Sequence, residues 1–257
     1  MPPSSISLTA LPDVPLVRPG DDLAAIISDA IDAAEIDPKA KDILVVAQKI
    51  VSKAEDRYVD LDGVTPSARA HTLARSVDKD PRLVEVILSE SEDVVRYRTG
   101  VLVVAHRLGF VLANAGVDQS NIGPDGGGER VLLLPQDPDA SCAALKTRLD
   151  GRYGVELGVV ISDTVGRAWR NGAIGMALGA AGLPALQDLV GRGDLYGRRL
   201  EVTQVGFADE VASAASLLMG QADEGTPLVL VRGLDWESAD ETDARALLRA
   251  KEFDLFR

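Results

Sequence analysis

Eight consecutive residues, Asp163-Thr164-Val165-Gly166-Arg167-Ala168-Trp169-Arg170, combine a carboxylate, a hydroxyl and two guanidiniums. They follow an apolar run, Gly158 to Ser162, that reads as a buried strand. The carboxyl end of a strand is a favoured place for ligands in α/β proteins. A second polar cluster, Asn114-Ala115-Gly116-Val117-Asp118-Gln119-Ser120-Asn121, follows another apolar run. Asp118 and Asp163, with oxygen-rich neighbours and the guanidiniums of Arg167 and Arg170, suit a hard cation held beside a phosphate chain. Magnesium and manganese take oxygen ligands and share them with phosphates. The plainer alternative is a pair of strand-end aspartates making turns or helix caps, and the two readings stay open side by side.

Two further clusters have the same flavour. Gln48-Lys49-Ile50-Val51-Ser52-Lys53-Ala54-Glu55 follows the apolar run Ile43 to Ala47, and two lysines there meet phosphates as point charges or lie on a solvated helix face. Met219-Gly220-Gln221-Ala222-Asp223-Glu224-Gly225-Thr226-Pro227 is a helix end and loop that offers backbone amides and the Gln221 oxygen. Taken alone it is an ordinary helix stop. The glycine-rich stretch Gly123 to Gly128 lacks the lysine and hydroxyl of a P-loop and reads as a turn. No dinucleotide-binding glycine motif and no zinc-protease motif occurs, and His71 and His106 lie far apart. Catalysis would therefore run through carboxylates, hydroxyls, lysine, arginine and metal.

Composition narrows the class. The 257 residues are 46% hydrophobic but only 4% aromatic, so the core must rest on Val, Leu, Ile and Ala. A net charge of -13 disfavours broad contact with nucleic acid or an anionic membrane, while leaving a local basic cluster free to take an anionic substrate. The single cysteine, Cys142, rules out an internal disulfide and sits in an apolar helical pattern as a core residue. No signal peptide and no 18-residue apolar run is visible, and the cytoplasm is the expected compartment.

The elements that must position these clusters alternate without a long linker or internal repeat. A tail from Met1 to Leu8 runs into a strand, and Asp21 or Asp22 caps a helix with apolar positions Leu23, Ile26, Ile27, Ala30, Ile31 and Ala34. The Ile43 run reads as a strand covered on both faces. Thr65-Pro66 and Asp80-Pro81 predict helices reaching about Val77 and about Glu92. Val101 to Ala105 and Phe110 to Asn114 form a hairpin turning near Gly109. Val131 to Leu134 is a strand before a helix capped at Asp137 or Asp139. Gly172 to Gly182, with four glycines, predicts close backbone packing, including packing between chains. Leu200 to Val205, Ala208 to Met219, Leu228 to Arg232 and Asp240 to Lys251 read as strand, helix, strand and terminal helix. The fold class is α+β (mixed α/β), in one compact unit.

In order along residues 8 to 235, the chain resembles the CofE family of coenzyme F-420-0:L-glutamate ligases, or gamma-glutamyl ligases. The resemblance is carried by Leu11-Pro12 through Pro15-Leu16-Val17, Pro19-Gly20-Asp21-Asp22-Leu23, Val51-Ser52-Lys53-Ala54-Glu55, Asn114-Ala115-Gly116-Val117-Asp118 with Ser120-Asn121, and Leu133-Leu134-Pro135 with Asp137-Pro138-Asp139. It continues through Asp163-Thr164 with Gly166-Arg167, Asp194-Leu195-Tyr196-Gly197, Ala208-Asp209-Glu210, Leu218-Met219-Gly220 and Val231-Arg232-Gly233. So many motifs in order are far more specific than any one of them.

The resemblance implies GTP-dependent amide ligation in coenzyme F-420 biosynthesis. GTP phosphorylates the terminal carboxylate of the deazaflavin precursor coenzyme F-420-0. The amine of L-glutamate then displaces phosphate from the acyl phosphate, leaving GDP and phosphate. Carried over by position, the divalent-metal ligands are Asp118 and Asp163 for one ion and Thr164 and Gln221 for a second, Mg2+ or Mn2+. The GTP contacts are Val14, Pro15, Leu16, Val17, Gln48, Lys49, Lys53 and Asn121, with the loop Gly220, Gln221, Ala222, Asp223, Glu224, Gly225, Thr226 and Pro227. Asp118, Asp163, Arg167 and Arg170 are the candidates for the chemistry, the two arginines through phosphate or carboxylate contacts.

The resemblance also implies potassium, a bipartite fold of mixed sheets flanked by helices, and an intertwined homodimer. It makes 1–257 a single ligase domain, optionally of two intertwined subdomains, without the nitroreductase-like domain fused to some relatives. The chain departs from the pattern in a two-residue insertion around Asp13-Val14, in Gln48-Lys49 where small hydroxyl residues are usual, and in Ala222-Asp223-Glu224 where glycines are usual. A related carboxylate–amine ligase with another acceptor, and a non-catalytic GTP- and metal-binding regulatory module, are the alternatives.

Overall fold

The computed structural model describes residues 5–123, 129–237 and 242–255. The chain runs β1 (Ser7–Ala10), α1 (Leu23–Ala33), β2 (Ile43–Ala47), α2 (Gln48–Ala54), β3 (Tyr58–Asp60), α3 (Ala68–Val77), α4 (Pro81–Ser89), β4 (Ser91–Arg98), β5 (Val101–His106) and β6 (Val111–Ala113). It continues with β7 (Arg130–Leu132), α5 (Pro138–Tyr153), β8 (Gly158–Arg167), β9 (Arg170–Ala181), β10 (Gln187–Asp188), β11 (Gln204–Val205), α6 (Phe207–Met219) and β12 (Leu228–Arg232). The class is α+β, as expected.

A five-stranded mixed sheet in the order β1-β12-β2-β8-β9 forms the centre. Among the described residues its only parallel pair is β2 with β8, from Ile43 opposite Gly158 to Ala47 opposite Ser162. Successive strand side chains point to opposite faces, and the sequence uses both. Leu44, Val46, Val159 and Ile161 join a core with α1 and α5, where Cys142 is fully buried as expected. Ile43, Val45, Val160 and Val229 join a second core with α6. A third core gathers α3, α4, β5 and β7 around Val84, Ile87, Leu102 and Val131. The molecule is therefore bipartite, with a layered sheet unit and a smaller helical unit built around β4-β5-β6.

Local chemistry sets most boundaries. Asp22 caps α1 by accepting from the Ala25 amide, and Asp137 caps α5 from Ala140. The hairpin β5–β6 turns at Gly109 as expected. Several expectations are corrected. Ser67, not Thr65, caps α3, because the hydroxyl that reaches the Ala70 amide lies after Pro66. Helix α4 starts at Pro81 behind Asp80 but stops at Ser89, since Ser91 to Arg98 is taken into pairing with β5. Of the strand expected from Leu200, Gln204–Val205 is regular strand, while Leu200 and Thr203 exchange single backbone bonds with Gly191, Arg192 and Leu189. In place of a terminal helix there are 3-10 turns at Ala244–Leu247 and Lys251–Phe253. Met1 to Ser4, Pro124 to Gly128 of the glycine loop and Asp240 at the start of that predicted helix lie outside the described residues.

Gly172 to Ala181 lies in strand β9, and Gly175, Gly179 and the following Gly182 serve contacts inside the chain. A Cβ on Gly175 would lie 2.3 Å from the Ala212 carbonyl oxygen of α6, and one on Gly179 would lie 2.4 Å from the Pro138 carbonyl of α5. Helices from both faces thus press on β9 at positions without side chains. Asp209 and Asp139, near the starts of these helices, accept from the Ala177 and Ala180 amides, where the β8–β9 ladder shifts register between Ile161 and Ser162.

Candidate active site

The parallel pair β2 and β8 ends at Ala47 and Ser162, and the chain delivers its polar clusters to that end of the sheet. Four segments line a cleft of about 820 Å³: Val14 to Pro19, the start of α2 with Lys49 and Lys53, the run Asp118 to Gly123, and the loop Gly220 to Pro227. Asp163 and Thr164 of β8 reach the same cleft.

Lys49 holds the clusters together. It leaves the first turn of α2, with Nζ 3.1 Å from Asp118 Oδ2, and donates to Ser120 Oγ at 3.3 Å. Ser120 in turn donates to Asp118 Oδ1 at 3.1 Å. Backbone bonds from Asp118 N to Leu132 O and from Leu132 N to Asp118 O, both 2.9 Å, fix the aspartate beside β7. One turn along α2, Lys53 donates to the Asn121 carbonyl at 2.7 Å, and Asn121 Nδ2 donates to Ala222 O at 3.0 Å. The α2 wall, the Asp118 run and the loop after α6 are therefore joined in series. Gln48 is buried, its Oε1 accepting from Ser52 Oγ at 2.8 Å, which commits that side chain to α2.

Electrostatics follow from this crowding. Burial pushes the Asp163 carboxyl up to about 6, and the Asp118 charge adds to the effect while Lys49 opposes it. Burial lowers the Lys53 ammonium, assisted by the neighbouring charge of Lys49. Two carboxylates thus face one shared cation, so the cleft favours added positive charge between Asp118 and Asp163. The donors there are all oxygen, as magnesium or manganese requires. Among the described residues no group of three His, Cys, Asp or Glu forms a candidate metal cage. Magnesium in particular usually takes only one or two carboxylates and completes its shell with substrate phosphates and water. The residues present fit such an ion.

Every residue proposed from the sequence as a nucleotide or metal contact lines this cleft. Arg167 and Arg170 do not. The sequence places them at a strand's carboxyl end, but β8 continues through Arg167 because β9 pairs with it beyond Ser162. At about 3.3 Å per residue, Arg167 lies about 13 Å along the strand from Asp163. Arg167 and Arg170 pair at the tip of the β8–β9 hairpin, where Trp169 is 89% exposed with φ of 64°. Asn114 is also reassigned: its Oδ1 accepts from the Leu102 amide at 3.1 Å and so supports β5.

The cleft holds residues that sequence reasoning missed. Arg130 stacks over the Tyr58 ring at 4.6 Å, and the Tyr58 hydroxyl donates to Ile122 O at 3.0 Å. Both lie on the short pair β3–β7, which carries no local motif. Ser162, Ser216 and Arg18 also face the cleft. A second cleft, of about 1020 Å³, lies at the opposite end of the sheet around Lys41, Arg192 and Trp236. Its cations are already matched, Lys41 with Asp235 and Arg192 with Glu237, so the chemistry concentrates in the first cleft.

The fold and cleft define a bipartite α+β protein that gathers two carboxylates and two lysines at the end of a mixed sheet. Residues 13–233 match the model of the family described as F420-0:Gamma-glutamyl ligase, and the chain belongs to that family. It is 48% identical over 244 residues to a coenzyme F420:L-glutamate ligase of Methanopyrus kandleri, covering 94% of this chain and 93% of that protein. It is 46% identical over 253 residues to the ligase of that name from Methanothermobacter thermautotrophicus, covering 98% and 99%. A third of the same name, from Halorubrum lacusprofundi, is 41% identical over 258 residues, covering 98% and 96%.

Proposed function

We propose that this chain is a ligase that adds L-glutamate to coenzyme F-420-0 in coenzyme F-420 biosynthesis, driven by GTP and a divalent metal. The observation that carries the reading is the convergence of Asp118, Asp163, Lys49, Lys53 and the loop Gly220 to Pro227 on one cleft, in a chain that matches named ligases over nearly its whole length.

An amide does not form from a free carboxylate and an amine at neutral pH without activation. In the proposed reaction the γ-phosphoryl group of GTP passes to the terminal carboxylate of the acceptor, and GDP leaves. The glutamate nitrogen then attacks the acyl carbon, the C–O bond to phosphate breaks, and inorganic phosphate departs with the electron pair. Lys49 and Lys53 contact the phosphate chain, and the exposed Leu16 with Pro15 offers an apolar lip for the base. Asp118 and Asp163 would hold one divalent ion, and Thr164 with Gln221 a second. Bound there, such ions would supply charge neutralisation during phosphoryl transfer. Holding acceptor and amine together supplies the entropic part of the rate. Potassium enters as an added requirement of the family reading.

The proposed active unit is a homodimer. The β8–β9 hairpin projects Trp169, and the excursion between β10 and β11 exposes Leu195, Tyr196 and Val202. Such apolar groups invite a second copy, which would also return Arg167 and Arg170 to a role beside an active site. Among the described residues no helix is long and apolar enough to cross a membrane.

The test is incubation with GTP, manganese, L-glutamate and coenzyme F-420-0, read by mass spectrometry as glutamyl addition. Product that forms equally without GTP, or in excess chelator, overturns the mechanism. Glutamyl transfer to other acceptors only would instead make the chain a related carboxylate–amine ligase.

A further inference from the structure

The loop after α6 already binds an anion, and the anion is its own. Glu224 Oε2 accepts from the Ala222 amide at 2.8 Å. The amides of Ala222, Glu224 and Gln221 together hold this carboxyl below its ordinary range. The space it fills is made by Gly220, whose φ of 70° and ψ of -172° lie in a region essentially reserved for glycine. A Cβ on Gly220 would fall 2.0 Å from Glu224 Cδ. Thr226 Oγ1 donates to Leu218 O at 2.8 Å and Met219 O at 3.1 Å, and Asn121 Nδ2 ties Ala222 O to the opposite wall at 3.0 Å. The cradle is thus braced from both sides. Neighbouring amides that converge on one carboxylate form an anion-binding concavity, and this one opens into the cleft that carries Lys49 and Lys53.

We propose that the amide cradle of Gln221, Ala222 and Glu224 is a seat for a phosphate group of a polyphosphate chain, and that Glu224 occupies it as a built-in competitor until the chain displaces it. A carboxylate and a phosphate oxygen compete for the same amides, and two anions cannot share them. The tethered carboxylate acts at high effective concentration, so it weakens every anion that needs the cradle and favours ligands with enough charge to engage the lysines too. This rests on the cleft's proposed role as a nucleotide site only for its phosphate part, not for the base or the reaction.

The experiment uses the full chain in metal-free buffer and titrates inorganic tripolyphosphate by calorimetry, for wild type, Glu224→Ala and Asp13→Asn. Asp13 is an exposed carboxylate next to the Val14 to Pro19 wall, outside the residues that line the cleft, so it controls for loss of one charge. Emptying the cradle should tighten tripolyphosphate about 5-fold or more, as removal of a competing occupied state does, with under about 2-fold for Asp13→Asn. The Ala222 amide resonance should move in ligand-free Glu224→Ala and return toward its wild-type position with tripolyphosphate. Unchanged or weaker binding by Glu224→Ala overturns the proposal, and so does an equal gain in Asp13→Asn, which would mean general charge repulsion. GTP titrated in parallel separates the two readings: the expected tripolyphosphate response with no binding of GTP leaves the cradle standing and removes the nucleotide assignment.

Discussion

Lys49 and Asp118 come from segments 69 residues apart in the chain, yet their charged atoms meet at 3.1 Å. Lys49 also lowers the Asp163 carboxyl that burial and Asp118 raise, so one ammonium serves both aspartates. The proposed role of Lys49 is to balance that pair in the ligand-free cleft and to meet phosphate once a divalent ion takes the position between them.

Lys49→Met should weaken GTP binding by about 10- to 100-fold, because a hydrogen bond to a charged group is worth about 1.5 to 3 kcal/mol. Thermal stability should change little, since the side chain is partly exposed. Equilibrium binding of GTP to the variant, beside a melting curve, decides it; wild-type affinity would remove Lys49 from the phosphate site.

Asp163→Asn should cost about 100-fold or more in kcat while the protein stays folded. Asparagine keeps the size but loses the charge, and the loss of even an outer partner of a metal site costs 10- to 100-fold. The variant should melt no lower than wild type at pH 7, since burial already disfavours the ionised carboxyl. A collapse in melting temperature with normal activity per folded molecule would make Asp163 structural.

Gly179→Ala should destabilise by about 1 to 3 kcal/mol, the usual cost of overpacking. The new methyl group would meet backbone of α5, 2.4 Å from the Pro138 carbonyl, which cannot rotate aside as a side chain can. Urea denaturation measures this, and an unchanged midpoint would show that α5 shifts freely over β9.

Acid stability should depend on Glu90. Burial alone would raise its carboxyl, but His106 Nε2 at 3.5 Å and the charges of Arg107 and Arg57 bring it down to about 2. A depressed carboxyl contributes stability that is present above its unfolded value near 4.5 and is lost as pH falls toward 2. Across that window wild type should lose about 3 kcal/mol that Glu90→Gln does not. Parallel stability curves for the two proteins from pH 5 to pH 2.5 would contradict this assignment.

What the sequence determined by itself is local. The short apolar run Ile43 to Ala47 reads as a strand buried on both faces, and it divides its side chains between two cores. Asp22, Asp80 and Asp137 announce their helices because a cap acts within three residues. Much of the cleft was legible as well, since four of its segments stand in short ordered motifs at the ends of elements. Tertiary pairing decided the rest. Ser91 and Glu92 read as a helix tail until β5 supplies a partner for the backbone of Ser91 to Arg98. Arg167 and Arg170 read as residues just past a strand's end until β9 extends β8 and carries them to a hairpin tip. Tyr58 and Arg130 gave no local signal, because their stacking exists only once β3 and β7 pair across 70 residues of chain. Caps and periodicity act within a few residues and are written in the sequence; strand partners are chosen across the whole chain, and only the folded structure shows the choice.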